Sequence, residues 1–231
     1  MNMKLTQELV QKILYHLENC IFDEFAPGEI NECEKVWDRV DHNFFSCFNS
    51  GASKMVLHLK DYNYVVKIPF QGEFIRQWDE EDTNSFSKIF EFCPFQYARG
   101  EKNKWDYCEV EANYFSDAIN YKVDQFFLET RFIGFVHDYP IYIQEKAIPL
   151  NEAVDSPRGY HPKEIRSKCS YYGIYCFNSH WIEDFLDYYT IEELQLLTDF
   201  IENVGITDLH SGNLGYKDSV PVIFDYAGFE D

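Results

Sequence analysis

The chain has 231 residues, 45% of them hydrophobic and 18% aromatic, which is enough for one large domain or two small lobes and excludes global disorder. Forty acidic residues against 20 basic ones give a formal net charge of -20, which repels phosphate backbones and argues against direct binding of nucleic acid. The same charge serves solubility, and it suits a basic protein partner or a partner that normally binds nucleic acid.

Leu5, Leu9, Ile13, Leu14 and Leu17 fall near helical spacing, which predicts an opening helix over residues 4–20. That stretch also holds Glu8, Glu18 and two lysines, unlike a signal peptide. No run approaches 18 apolar residues, so no membrane span is expected. Pro27-Gly28 marks a turn, and Glu29 to Val40 reads as a second short helix. Residues 43–70 read as three antiparallel strands. An aromatic run from Phe44 to Phe48 and a turn over Asn49 to Ser53 lead to an alternating segment from Met55 to Leu59. After a turn at Asp61-Tyr62-Asn63, Tyr64 to Ile68 is apolar and β-branched.

Residues 71–105 are polar and show no usable period. Asp106 to Phe127 has helical periodicity, with Val110, Tyr114, Phe115, Ala118, Ile119 and Val123 on one side. Two further strands, Arg131 to Val136 and Tyr139 to Lys146, meet at His137-Asp138. Residues 149–170 read as a loop, and Trp181 to Tyr188 as a short helix. Thr190 to Val204 is a helix with Thr190 as N-cap, Glu193 completing a capping box and Gly205 as its stop. Val220 to Phe224 reads as a last strand. The order predicts an α+β chain of two lobes: N-terminal helices with an antiparallel five-stranded lobe over 1–147, and a smaller, mostly helical lobe over 148–231.

Seven cysteines, at 20, 33, 47, 93, 108, 169 and 176, include no C-x-x-C pair. Reduced thiols and a cytoplasmic location are expected. His161, Cys169, Cys176 and His180 could hold zinc, but zinc-site cysteines are usually closer together, and two buried small hydrophobes are the better reading of these thiols.

The densest chemical signal lies near the end, in Asp208-Leu209-His210-Ser211-Gly212-Asn213 and in Val222-Ile223-Phe224-Asp225-Tyr226-Ala227-Gly228. An Asp and an Asn five apart on one loop, with a second Asp after a short strand, can offer hard oxygen ligands to Mg2+. Turn chemistry alone also favours these residue types. Asp208, His210 and Ser211 are too close in sequence to face one another as a hydrolytic triad.

The motif D-L-H-x-x-N followed by two apolar residues and D-Y-A-G resembles the catalytic loop and metal-binding segment of the protein-kinase-like superfamily. The flavour is that of aminoglycoside and choline phosphotransferases and of small bacterial or phage kinase-like proteins. The resemblance covers roughly residues 45 to 228, with its specific motifs at few positions. It implies a two-lobed kinase-like fold with a truncated second lobe, using ATP and Mg2+. Asp208 then matches the catalytic base that orients the acceptor hydroxyl, and Asn213 and Asp225 match the metal ligands. Val65-Val66-Lys67 matches V-A-I-K, so Lys67 would touch the α- and β-phosphates. Gly51 and Ser53 would lie in the phosphate loop, and backbone groups near Glu145 to Ala147 would receive adenine. Glu111, or alternatively Glu109, would be the helix carboxylate paired with Lys67. Lys67 could also simply snorkel from an edge strand, and Gly51 could serve only a hairpin.

The chain departs from the family pattern in three places. Only Gly51 remains of the glycine-rich loop, Ile206-Thr207 replaces the residue usually found before the catalytic Asp, and the chain ends three residues after Gly228. The acceptor is then expected to meet residues 71–105 and 149–185, or a partner, or to have no site. The implied activity is phosphorylation of a protein or small-molecule hydroxyl. Nucleotidyl transfer would use the same residues. A catalytically weak, acidic binding module acting on a basic protein partner is the alternative.

Overall fold

Thr6 opens the first helix, α1 (Gln7–Glu18), by accepting the Leu9 amide on its side chain. The computed structural model describes residues 5–20, 36–50, 54–69, 71–78, 86–93, 106–137, 139–150, 182–206, 209 and 211–227; 50, 71–78, 86–93, 183 and 211 are described in backbone only. The sequence readings at Pro27-Gly28, at most of Glu29 to Val40, at Gly51 and Ser53, at His161, Cys169, Cys176 and His180, and at Asp208 lie outside the described residues. Among the described residues Cys20, Cys47 and Cys108 are free thiols, and no helix is long and apolar enough to cross a membrane.

The chain is α+β with an antiparallel five-stranded sheet, and it divides into two compact units. The first comprises residues 1–109 and 131–144, the second 110–130 and 145–231. The three expected strands of the first unit are β1 (Phe45–Ser50), β2 (Lys54–Leu59) and β3 (Tyr64–Pro69), paired antiparallel in sequence order. β6 (Arg131–Val136) and β7 (Tyr139–Glu145) form the second hairpin, and the sheet runs β1-β2-β3-β7-β6. One face packs Met55, Leu57, Leu59, Val66, Ile68, Ile141 and Ile143 with Leu9, Ile13 and Leu17 of α1 in a single apolar core. The residue period of two sends Lys54, Lys67, Tyr142 and Gln144 to the other face. Gly134 has a positive φ and lies against Leu14, where α1 crosses β6.

Residues 71–93, which read as polar and without period, form β4 (Gln71–Trp78) and β5 (Phe86–Cys93), an antiparallel pair outside the main sheet. The register sets Phe74 opposite Phe90 and Trp78 opposite Phe86. Apolar residues fall at adjacent positions in both strands, Phe74-Ile75 and Ile89-Phe90, so no clean period of two marks them in the sequence and only the pairing reveals them.

The second unit has its own apolar core, in which Ala118, Phe126, Phe185, Leu194, Leu197, Phe200, Ile223 and Tyr226 are fully buried. It is built from most of α2 (Tyr107–Tyr121), the short α3 (Ile182–Leu186), α4 (Ile191–Val204) and a three-stranded sheet. That sheet holds β8 (Ile148–Pro149), β9 (Leu214–Lys217) and β10 (Val220–Ile223), with β9 in the middle. The α4 capping box between Thr190 and Glu193 is present, and Gly205 closes the helix in the left-handed region at φ 77°. One expectation for α2 is corrected: Ile119 is 53% exposed. The inward stripe runs through Cys108, Glu111, Phe115 and Ala118, rotated so that it takes in a carboxylate that an apolar-only pattern passes over.

Candidate functional site

In the second unit the β9–β10 hairpin sets the geometry of two expected metal ligands. Asp218 and Ser219, both with positive φ, make its two-residue turn, a form that matches the twist of antiparallel strands. From that turn the register runs back to Leu214 opposite Ile223, which leaves Asn213 and Phe224 at the open end. There the Asn213 carbonyl accepts the Phe224 amide at 3.0 Å and the Asp225 amide at 3.4 Å. Asn213 and Asp225, twelve residues apart, are thus joined through their backbones. Asn213 is buried and Asp225 half-buried.

Two bonds hold this end of the hairpin to the segment after α2, and Tyr189 bridges the same segment to Pro221. The Leu128 amide donates to the Ile223 carbonyl at 2.9 Å, and the Tyr226 hydroxyl donates to the Leu128 carbonyl at 2.9 Å. The Tyr189 hydroxyl lies 3.0 Å from the Pro221 carbonyl and 3.2 Å from that of Gln125. Burial pushes the Tyr189 hydroxyl far above the ordinary tyrosine range, so it remains a donor. On the other side, β8 approaches β9 closely at Gly215, where a Cβ would stand 2.5 Å from the Ile148 carbonyl oxygen.

Glu111 is fully buried in α2. The hydroxyl of Thr130, itself buried, donates to its Oε2 at 2.6 Å. Such a short charge-assisted bond offsets part of the cost of withdrawing a carboxylate from water. Of the two candidates, Glu111 is fully buried and Glu109 half-buried.

In the first unit Lys67 lies on β3 at 2% exposure, and Lys54 at the start of β2 at 4%. A lysine is seldom this deep without a function or a partner for its charge. On the same sheet face Tyr142 donates to Asp106 Oδ2 at 2.8 Å, while Asp106 Oδ1 accepts the Glu109 amide at 2.9 Å and so caps α2. Burial raises the Asp106 carboxyl above the usual carboxylate range, against the lowering effect of these two bonds.

Among the remaining expected residues, Glu145 ends β7 with its side chain paired to Lys217, both partly exposed, and half-buried Ala147 lies between β7 and β8. Among the described residues no three His, Cys, Asp or Glu side chains converge on one point. Sequence reasoning missed Thr130, Tyr226, Asp106, Tyr142 and Lys54. Asp106 was detectable as an acceptor three residues before Glu109, and Tyr226 as the aromatic beside Asp225. Thr130 and Tyr142 carry no local signal. Comparison with family models, with curated proteins and with solved structures finds no match to this chain.

Proposed function

We propose that this chain is an ATP- and Mg2+-dependent phosphotransferase of the kinase-like superfamily, two-lobed and cytoplasmic, that phosphorylates a protein or small-molecule hydroxyl. The observation that carries the reading is the backbone linkage of Asn213 to Asp225, because the two residues matched to metal ligands are held together by the register of one hairpin. An amide and a carboxylate oxygen suit Mg2+, which when bound neutralises charge on the phosphate oxygens. Lys67, a buried cation on the third strand, positions the α- and β-phosphates. Glu111 is the carboxylate matched to that lysine, and Gly51 and Ser53 line the phosphate loop. Backbone groups from Glu145 to Ala147 receive adenine. Asp208 orients the acceptor hydroxyl and takes its proton.

The net charge of -20 favours a second reading, an acidic kinase-shaped module that occupies a basic protein partner without turnover. Thermal unfolding with ATP and Mg2+, on wild type and on Asp225→Ala, separates the two. At 100-fold excess of ligand over Kd, binding adds about 2.7 kcal/mol of stability. A Mg2+-dependent rise in Tm that disappears in the variant is the expected result. No rise in either protein would sink the nucleotide reading and turn the search to a basic partner.

A further inference from the structure

Helices α2 and α4 of the second unit contain no Lys, Arg or His. Their outward faces carry Asp117 on α2 and Glu192, Asp199 and Glu202 on α4, all exposed. A helix face that serves only solubility mixes its charges, because opposite charges three or four positions apart support the helix and like charges weaken it. Here Asp199 and Glu202 repel each other across one turn. Glu202 also lies in the last turn of α4, where the carbonyls of the helix end disfavour an anion. Among the described residues no cation forms an ion pair with any of the four carboxylates. Lys122, exposed, follows α2.

Two large apolar side chains stand among these carboxylates: Tyr121 is 51% exposed and Leu196 53%. The Tyr121 ring lies 5.4 Å from that of the buried Phe200, and Leu196 precedes Phe200 by one helical turn, so the two border the same ring. Asp117 stands one turn before Tyr121, and Glu192 one turn before Leu196. The face is an apolar pair within an acidic rim, about 15 Å long from Glu192 to Glu202 at the rise of an α-helix.

We propose that this face docks a basic amphipathic segment of another protein, with Lys and Arg side chains over the carboxylates and an apolar side chain against Tyr121 and Leu196. A second copy of this chain, a nucleic acid or an anionic membrane would bring negative charge to a negative face, and a wholly apolar partner would strip water from the carboxylates without pairing them. The surface needs no nucleotide. Its occupant is the protein acceptor under the first reading above and the occupied basic protein under the second.

Fluorescence anisotropy on the full chain, without nucleotide, tests this with a labelled synthetic peptide of Leu and Lys at helical spacing, about three turns long, and with the same composition scrambled. Wild type should bind the patterned peptide more tightly than the scrambled one. Asp199→Lys with Glu202→Lys should weaken binding by about 10-fold or more, and Leu196→Ala by about 5- to 10-fold. Glu18→Lys with Asp61→Lys, the same change of net charge on exposed residues of the first unit, should alter it by less than about twofold. Equal losses in the two double variants, equal affinity for the two peptides, or no binding at all would each overturn the proposal. Where a variant does not fold, wild type decides: zero-length carbodiimide coupling should join peptide lysines to Asp117, Glu192, Asp199 or Glu202, and coupling only elsewhere overturns the face. Sedimentation that shows a dimer which Leu196→Ala dissociates would assign the face to a second copy instead. None of these outcomes touches the nucleotide reading, which the unfolding experiment with Mg-ATP tests separately.

Discussion

The Tyr226 hydroxyl donates to the Leu128 carbonyl at 2.9 Å across 98 residues of chain. The residue after Asp225 is thereby anchored to the segment that follows α2, and the same segment supplies Thr130 to Glu111. In the second unit, Glu111 and Asp225 are thus both tied to one stretch of backbone, residues 128–130. Tyr226→Phe removes only the hydroxyl and leaves the shape. Loss of the bond to a buried carbonyl is expected to lower stability by about 1–3 kcal/mol. Urea unfolding should show a lower midpoint with an unchanged slope; an unchanged midpoint would mean that the anchor contributes nothing.

Thr130→Val tests the second attachment. The substitution keeps the volume and deletes the donor to the fully buried Glu111 carboxylate, at an expected cost of about 1–3 kcal/mol. Thr130→Ser should recover most of it. In a Glu111→Gln background the Thr130→Val penalty should shrink, because a neutral acceptor binds the hydroxyl less strongly. Equal penalties in both backgrounds would show that the hydroxyl acts elsewhere.

Asp106 predicts a pH dependence with a definite sign. Its carboxyl is raised in the folded chain by burial, so the folded state holds the proton more tightly than the unfolded state does. The stability it contributes is fully present below its unfolded value and is lost as pH rises through the raised folded value. Asp106→Asn can still accept the Glu109 amide but cannot ionise. Midpoints of chemical unfolding measured from pH 4 upward should therefore fall for wild type relative to Asp106→Asn. Parallel profiles would refute the assignment.

Two glycines of the second unit resist substitution for different reasons. Gly215→Ala places a Cβ 2.5 Å from the Ile148 carbonyl oxygen and 3.1 Å from the Phe224 ring, so β8 must move from β9, at an expected cost of about 1–3 kcal/mol. Gly205→Ala meets nothing within 4 Å, and its cost of about 1 kcal/mol comes from the left-handed backbone alone. Hydrogen exchange distinguishes them: the first should speed exchange at the Leu150 amide bonded to Leu214, and the second at the end of α4.

The amino-acid sequence by itself determined what depends on neighbours within a few residues. The strands at β1 to β3 followed from period-two patterning and turn residues, and the α4 helix from a Thr and a Glu three positions apart with a Gly at its end. Asn213 and Asp225 were legible as candidates because their residue types and spacing belong to one short motif. Tertiary structure alone decided the rest. The exposed Ile119 and the buried Glu111 on α2 could not be phased from apolar spacing, since the inward face is chosen by what packs against it. The pairing of β4 with β5, the Thr130 hydroxyl on Glu111 and the Tyr226 anchor on Leu128 join residues that no local pattern relates. That Lys54 and Lys67 share one face of the sheet, and that both are buried there, follows only from the hairpin register and the packing.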